Sequence, residues 1–221
     1  MLKQFLFGFP IIKQSIDESL YDKNKIVADI LHNFDLDNNR NEWDSDQKQH
    51  GRPSSNLHHS YSFNNEDNSK FKKIDYSDLI PLYNKAVANS LNQLYFKDKV
   101  NFTYKIDNYT CLKHSSYMRE HVHLDCDFTA IHYLRFNNKQ HFPTNFVNTQ
   151  KHSNYTVKLL PTLVEKLDTS AVENSWMCDN YSINTDENDF VLTPAIVEHS
   201  IPYHNNCDDH RITIVLNIKI E

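Results

Sequence analysis

Residues 211–220 read Arg211-Ile212-Thr213-Ile214-Val215-Leu216-Asn217-Ile218-Lys219-Ile220. Alternation is nearly perfect. Ile212, Ile214, Leu216, Ile218 and Ile220 share one face, and Arg211, Thr213, Val215, Asn217 and Lys219 share the other. A period of two is the signature of a strand with one face against a core. Arg211 and Thr213 then project to the same side, into a pocket or into water. Working outward, Thr129–Phe136 is a second such strand, with Ala130, His132, Leu134 and Phe136 opposite Thr129, Ile131, Tyr133 and Arg135. Further strands are predicted at 3–13, 100–112, 121–125, 142–148, 189–193 and 197–201. Helical spacing places a helix over 23–32 through Ile26, Val27, Ile30 and Leu31. It places another from Asp75 or Ser77 to Tyr95 through Leu79, Tyr83, Val87, Leu91 and Leu94. Pro81 is tolerable in a first turn. Polar stretches at 33–74 and 149–185 read as long loops, the second with a short helix near 163–167. Helices first and short strands afterwards give an α+β chain with a β-sandwich or barrel core.

Composition narrows function before any motif is named. The 221 residues include only 2 glycines, Gly8 and Gly51. No glycine-rich phosphate loop can be written with them, which removes Rossmann, P-loop and glycine-rich-loop kinase readings. A net charge of −6 disfavours a bulk nucleic-acid binder. The four cysteines form no CxxC and no disulfide framework, so a reducing cytoplasm is expected. No apolar run is long enough for a membrane span. Asparagine is abundant and can stand in for glycine at left-handed turns.

Two segments could carry chemistry. His121-Val122-His123-Leu124-Asp125-Cys126-Asp127 would put His121, His123 and Asp125 on one face of a strand. Two imidazoles and a carboxylate so spaced suit a metal, or an exposed polar edge. The second segment runs from Asp189-Phe190-Val191-Leu192-Thr193-Pro194 into Glu198-His199-Ser200-Ile201-Pro202, and Arg211 follows twelve positions after His199.

Together these segments, HVHLDCDFTAIHYL, NDFVLTPAIVEHSIP and RITIVLN, resemble the Fe(II)/2-oxoglutarate-dependent oxygenases. They are most like the small phage and marine-bacterial type, and the resemblance is strong over residues 97–221 and weak before them. It implies a double-stranded β-helix (jelly roll or cupin-like) with N-terminal helices packed on one sheet. It also implies one domain over 1–221, divided into an N-terminal region 1–98 and a core 99–221. The implied activity is a dioxygenase using Fe(II), 2-oxoglutarate and O2, with succinate and CO2 as products. Non-haem Fe(II) is commonly held by two His and one carboxylate, and the resemblance assigns His123, Asp125 and His199. A rival set is His121, His123 and His199, with Asp125 behind them. Arg211 would clamp the distal carboxylate of 2-oxoglutarate through parallel hydrogen bonds, helped by Thr213 and Tyr133. The alternative for Arg211 is a surface pair with Asp208 or Asp209.

Departures from the family pattern fall at Ala130, Asn188 and Thr193, none of them a proposed ligand. His58, His59, His204 and His210 read as solvated, Cys126 as packing, and Trp176 as a candidate pocket residue. Implied substrates are a protein or peptide side chain, proline above all, or a small molecule. Nucleic acid and membrane are disfavoured, and oligomeric state is open. Two other readings stand beside the oxygenase: a non-catalytic metal-binding β-sandwich, and a cupin-type metalloenzyme that uses no 2-oxoglutarate.

Overall fold

The computed structural model describes residues 1–37, 57–60, 70–114, 116–150, 159–204 and 207–221. In chain order the elements are β1 (Leu2–Leu6), β2 (Phe9–Ser15), α1 (Lys23–Leu36), β3 (Leu57–His59), α2 (Leu79–Leu91), β4 (Phe102–Leu112), β5 (Ser116–His121), β6 (Phe128–Arg135) and β7 (Asn145–Val147). Then come α3 (Pro161–Lys166), β8 (Asn180–Ser182), β9 (Asp189–Pro194), β10 (His199–His204) and β11 (Arg211–Ile220), with short 3-10 turns at Glu18–Leu20 and Val172–Met177.

The strands form two antiparallel sheets. The larger runs β1-β2-β9-β6-β11-β4-β3 and the smaller β5-β10-β7-β8. From β4 onward the chain passes repeatedly between them. β11 lies antiparallel between β4 and β6, Ile218 opposite Tyr104 on one side and Phe128 on the other, with one register shift on each side.

Two apolar layers follow from the alternation. Ile212, Ile214, Leu216 and Ile218 face the helices and pack with Ile26, Ile30, Leu79, Tyr83 and Val87. The opposite face of the larger sheet, through Ile131, Tyr133 and Val191, packs with Phe146 and Val197. The residues of β11 that interrupt the apolar pattern, Arg211, Thr213 and Asn217, lie on this second side and line a cavity.

Several sequence expectations need adjusting. The opening strand is a hairpin, folded at Phe7 (φ 54) and Gly8 (φ 90). Two consecutive positive φ values make the tight turn that matches strand twist, and glycine carries the second without strain. Both strands, and β3 as well, join the larger sheet, so the N-terminal region adds strands as well as helices. α1 begins at Lys23 as expected, capped by the Asp22 carboxylate on the Lys25 amide, and continues four residues past His32 to Leu36. α2 starts at Leu79, while Asp75 caps the preceding turn by accepting from the Ser77 amide. β5 ends at His121, so 122–127 is a loop and the expected strand over 121–125 does not form. The loop expected over 33–74 contains the end of α1 and β3, and its residues 38–56 and 61–69 lie outside the described ones. The glycine substitute at Asn188 is real: its φ is 67, and its side chain accepts from the Tyr21 hydroxyl and donates to Glu18.

No helix among the described residues is long and apolar enough to cross a membrane.

Candidate active site

A cavity of about 290 Å³ opens between the sheets. Its walls carry His121, His123 and His199 together with Arg211, Thr213 and Thr144.

Strand pairing creates the histidine cluster. β10 pairs with β5 so that His199 stands directly opposite His121. His123 arrives from the loop, whose backbone is pinned where the His123 amide donates to the Ala195 carbonyl at 3.0 Å. The three rings converge: His121 and His199 centroids are 4.4 Å apart, and His123 stacks on His199 at 5.3 Å with planes 4° from parallel. One nitrogen from each imidazole lies within 4.8 Å of the other two. Nδ1 of His199 donates to the Val197 carbonyl at 2.9 Å, and Nδ1 of His121 to the Arg119 carbonyl at 2.9 Å. Those bonds fix the tautomer that carries its lone pair on Nε2, the usual preparation of a metal ligand. Nε2 of His123 is buried with no hydrogen-bond partner. Burial is the main reason all three rings resist protonation. His199 falls to about 3 and His123 to about 4, with the neighbouring His121 adding to each, and His121 is lowered too. Neutral imidazole is the ligating form, so the cluster is ready for a metal at neutral pH. These features fit a divalent cation.

Of the residues singled out in the sequence, His123 and His199 come together and His121 joins them. Asp125 lines the same cavity but is exposed and stands outside the 4.8 Å group. Its expected place beside His123 relied on strand geometry that the loop does not have.

At the other end lies Arg211, whose side chain is fully buried. Nε donates to the Phe142 carbonyl at 3.2 Å and Nη2 to the Thr144 hydroxyl at 3.4 Å, while Nη1 has no partner. No carboxylate among the described residues pairs with it. Asp209, the sequence-level candidate, instead bonds Arg135 at 2.5 Å. The guanidinium lies over the Tyr133 ring, 5.2 Å from its centroid. Burial lowers the affinity of Arg211 for its proton, and Tyr133 opposes that shift. Tyr133 donates its hydroxyl proton to Thr144 Oγ1 at 2.7 Å, and Thr213 bonds Thr110 at 2.7 Å. Burying a charge without a counter-charge is costly. A guanidinium so placed is complementary to an anion, and it borders the cavity.

Two residues stand differently from the sequence reading. His58 and His59 are buried, not solvated. His58 is joined to the Asp37 carboxylate at 2.6 Å and to the Tyr109 hydroxyl at 3.0 Å on the helix side. That anchors β3 so that His59, one residue on, lines the cavity. The only available signal was a His-His pair in a polar stretch. Trp176, by contrast, is 41% exposed and does not line the cavity.

The chain is similar to solved 2-oxoglutarate/Fe(II) oxygenases. A Pseudomonas putida prolyl-4-hydroxylase aligns over 95% of this chain and 92% of its own, with TM-score 0.49 and 8% identity. A viral collagen prolyl hydroxylase from Paramecium Bursaria Chlorella virus-1, in complex with 2-oxoglutarate, aligns over 94% of each chain with TM-score 0.46 and 12% identity. A 2OG-Fe(II) oxygenase family oxidoreductase from Burkholderia pseudomallei has TM-score 0.39 and 8% identity. That match covers 65% of this chain and 52% of the other, so this chain spans about half of that protein. No family model matches the chain, and no curated protein matches its sequence.

Proposed function

We propose that the protein is an Fe(II)- and 2-oxoglutarate-dependent dioxygenase that hydroxylates a protein side chain, such as proline, or a small molecule. One observation carries this reading. A buried, anion-less Arg211 shares a cavity with three converging neutral imidazoles. A structural metal site has no use for such a guanidinium, whereas a cosubstrate with carboxylates at both ends can reach a metal and an arginine together. The sequence of strands in the two sheets, β4-β11-β6-β9 and β5-β10-β7-β8, supports reading residues 99–221 as a double-stranded β-helix within a single domain.

In this reading His123 and His199 hold the metal with His121 as the third ligand, the set that the geometry favours. Asp125, the carboxylate expected from the sequence, stands at the cavity wall as the competing third ligand. The bound metal supplies O2 activation coupled to oxidation of 2-oxoglutarate to succinate and CO2. The protein's own groups do the positioning. Arg211 receives the distal carboxylate through Nη1 and Nη2, Tyr133 supports the guanidinium with its ring, and Thr213 and Thr144 offer hydroxyls beside it. The Nδ1 bonds of His121 and His199 to backbone carbonyls keep those rings from turning. Ile131, Val215 and Met118 keep that part of the cavity wall apolar, which strengthens the guanidinium–carboxylate attraction.

The test is anaerobic addition of Fe(II) and 2-oxoglutarate, read by the weak visible charge-transfer band of such complexes, followed by succinate release in air. A metal-loaded protein that gives neither band nor succinate overturns the proposal. Metal binding with no 2-oxoglutarate binding would favour a cupin-type metalloenzyme.

A further inference from the structure

The cavity has a polar wall that neither the metal cluster nor Arg211 uses. Pairing between β4 and β11 slips by one residue there. Val215 faces Asn108 and Leu216 faces Ile106, which leaves Asp107 as the extra residue of a β-bulge. A bulge turns two neighbouring side chains toward the same side and is a common means of aiming a residue into a site. Here both Asp107 and Asn108 line the cavity. In regular register Asp107 would have faced the helices.

Both are buried acceptors. The Asp107 side chain is 4% exposed. One of its oxygens contacts the Lys105 ammonium at 2.7 Å, and the other accepts from Asn108 Nδ2 at 3.1 Å. That bond orients the Asn108 amide. Asn108 is only 6% exposed, and its Oδ1 has no partner. Leaving a buried acceptor unsatisfied is unfavourable, so this oxygen is set for a donor brought in from outside. Lys105 also borders the cavity, but its ammonium bonds Asp107 and not Asn108, and its side chain is 68% exposed, so the pair contributes little and can yield to a competing ammonium. Burial raises the Asp107 carboxyl pKa, and the Asn108 bond opposes the shift. A cation entering the cavity would favour the ionised form.

We infer that Asp107 and Asn108 form the subsite that selects the primary substrate, and that they take a protonated amine. The carboxylate supplies the counter-charge and Asn108 Oδ1 a second acceptor, which together suit an ammonium group with several N–H donors. The inference rests on the cavity being the substrate site proposed above.

The probes are Nα-acetyl-lysine N-methylamide and its uncharged analogue Nα-acetyl-norleucine N-methylamide, titrated into the protein and followed by ligand-observed NMR. Charge-assisted hydrogen bonds contribute about 1.5–3 kcal/mol, so the lysine probe should bind about tenfold tighter or more. Asp107→Asn should remove that preference and Asn108→Leu should reduce it, with near-ultraviolet circular dichroism confirming that both variants are folded. Equal binding of the two probes, no binding of the lysine probe, or an undiminished preference in Asp107→Asn would overturn the inference. Binding of 2-oxoglutarate to the Fe(II)-loaded wild type is measured separately, without amine. Its failure alone removes the proposed function, and failure of the amine titration alone removes this subsite.

Discussion

Replacing Arg211 by Met should change two quantities in opposite directions. The side chains are of comparable length, so Met fills most of the same space without the charge. In the ligand-free protein the guanidinium is wholly buried, Nη1 is unpaired, and its two hydrogen bonds are long at 3.2 and 3.4 Å. Relieving a buried unsatisfied group recovers about 1–3 kcal/mol, and bonds this long give up only about 0.5 kcal/mol each, the low end of the usual range. Thr144 keeps its bond to Tyr133. The net gain is about 1 kcal/mol, which for a chain of this size raises Tm by roughly 2–4 °C. The effect on 2-oxoglutarate is the reverse. Removing one partner of a buried charge pair costs about 2–5 kcal/mol, a loss of affinity of about 30-fold to several thousand-fold. Thermal melts under argon measure both. With 2-oxoglutarate at a hundred times its wild-type Kd, metal-loaded wild type should gain about 2.7 kcal/mol, while the variant should gain less than about 1 kcal/mol. A variant that melts below wild type and still responds fully to 2-oxoglutarate would refute the reasoning, because Arg211 would then be a structural cation.

Three further outcomes are expected. His121→Ala should weaken Fe(II) binding more than Asp125→Ala does, measured by equilibrium dialysis; the reverse ranking restores the carboxylate as third ligand. His132 is wholly buried against the Tyr83 hydroxyl at 2.8 Å, and burial holds it down to about 3, with Lys23 adding to the effect. Its unfolded pKa is about 6.5, so between about 3 and 6.5 the unfolded chain binds a proton that the folded ring refuses. Stability is therefore full above that window and lost as pH falls through it. His132→Phe should make urea-derived stability less steep between pH 7 and 5, and an unchanged slope would contradict this. Asn188→Val should cost about 1–3 kcal/mol, since a β-branched residue is strained at φ 67. Asn188→Gly should cost less, through the lost bonds to Tyr21 and Glu18; equal costs would exclude backbone strain as the cause.

The division between sequence and structure follows the range of the forces involved. Alternation in 211–220 identifies a half-buried strand, because a period of two is a property of the backbone. It places Arg211, Thr213 and Asn217 on one side without reference to the rest of the chain. Asn188 in the glycine-poor turn is legible for the same reason, as left-handed φ depends on the residue itself. What a side chain meets there is another matter. Only the placement of β11 against β4 and β6, under the smaller sheet, turns that side inward, where Arg211 is buried beside the cavity. Only the pairing of β10 with β5 sets His121 opposite His199, 78 positions away. The strand expected over 121–125 stops at His121 because a loop takes over there, so alternation alone does not place Asp125 beside His123. The burial of His59 and the inward turn of Asp107 were not legible, since one depends on a strand edge anchored by Asp37 and His58 and the other on a register slip between β4 and β11. Local patterns follow from covalent geometry and are written in the chain. Which groups share a cavity depends on long-range strand pairing, and that is decided only when the whole sheet is assembled.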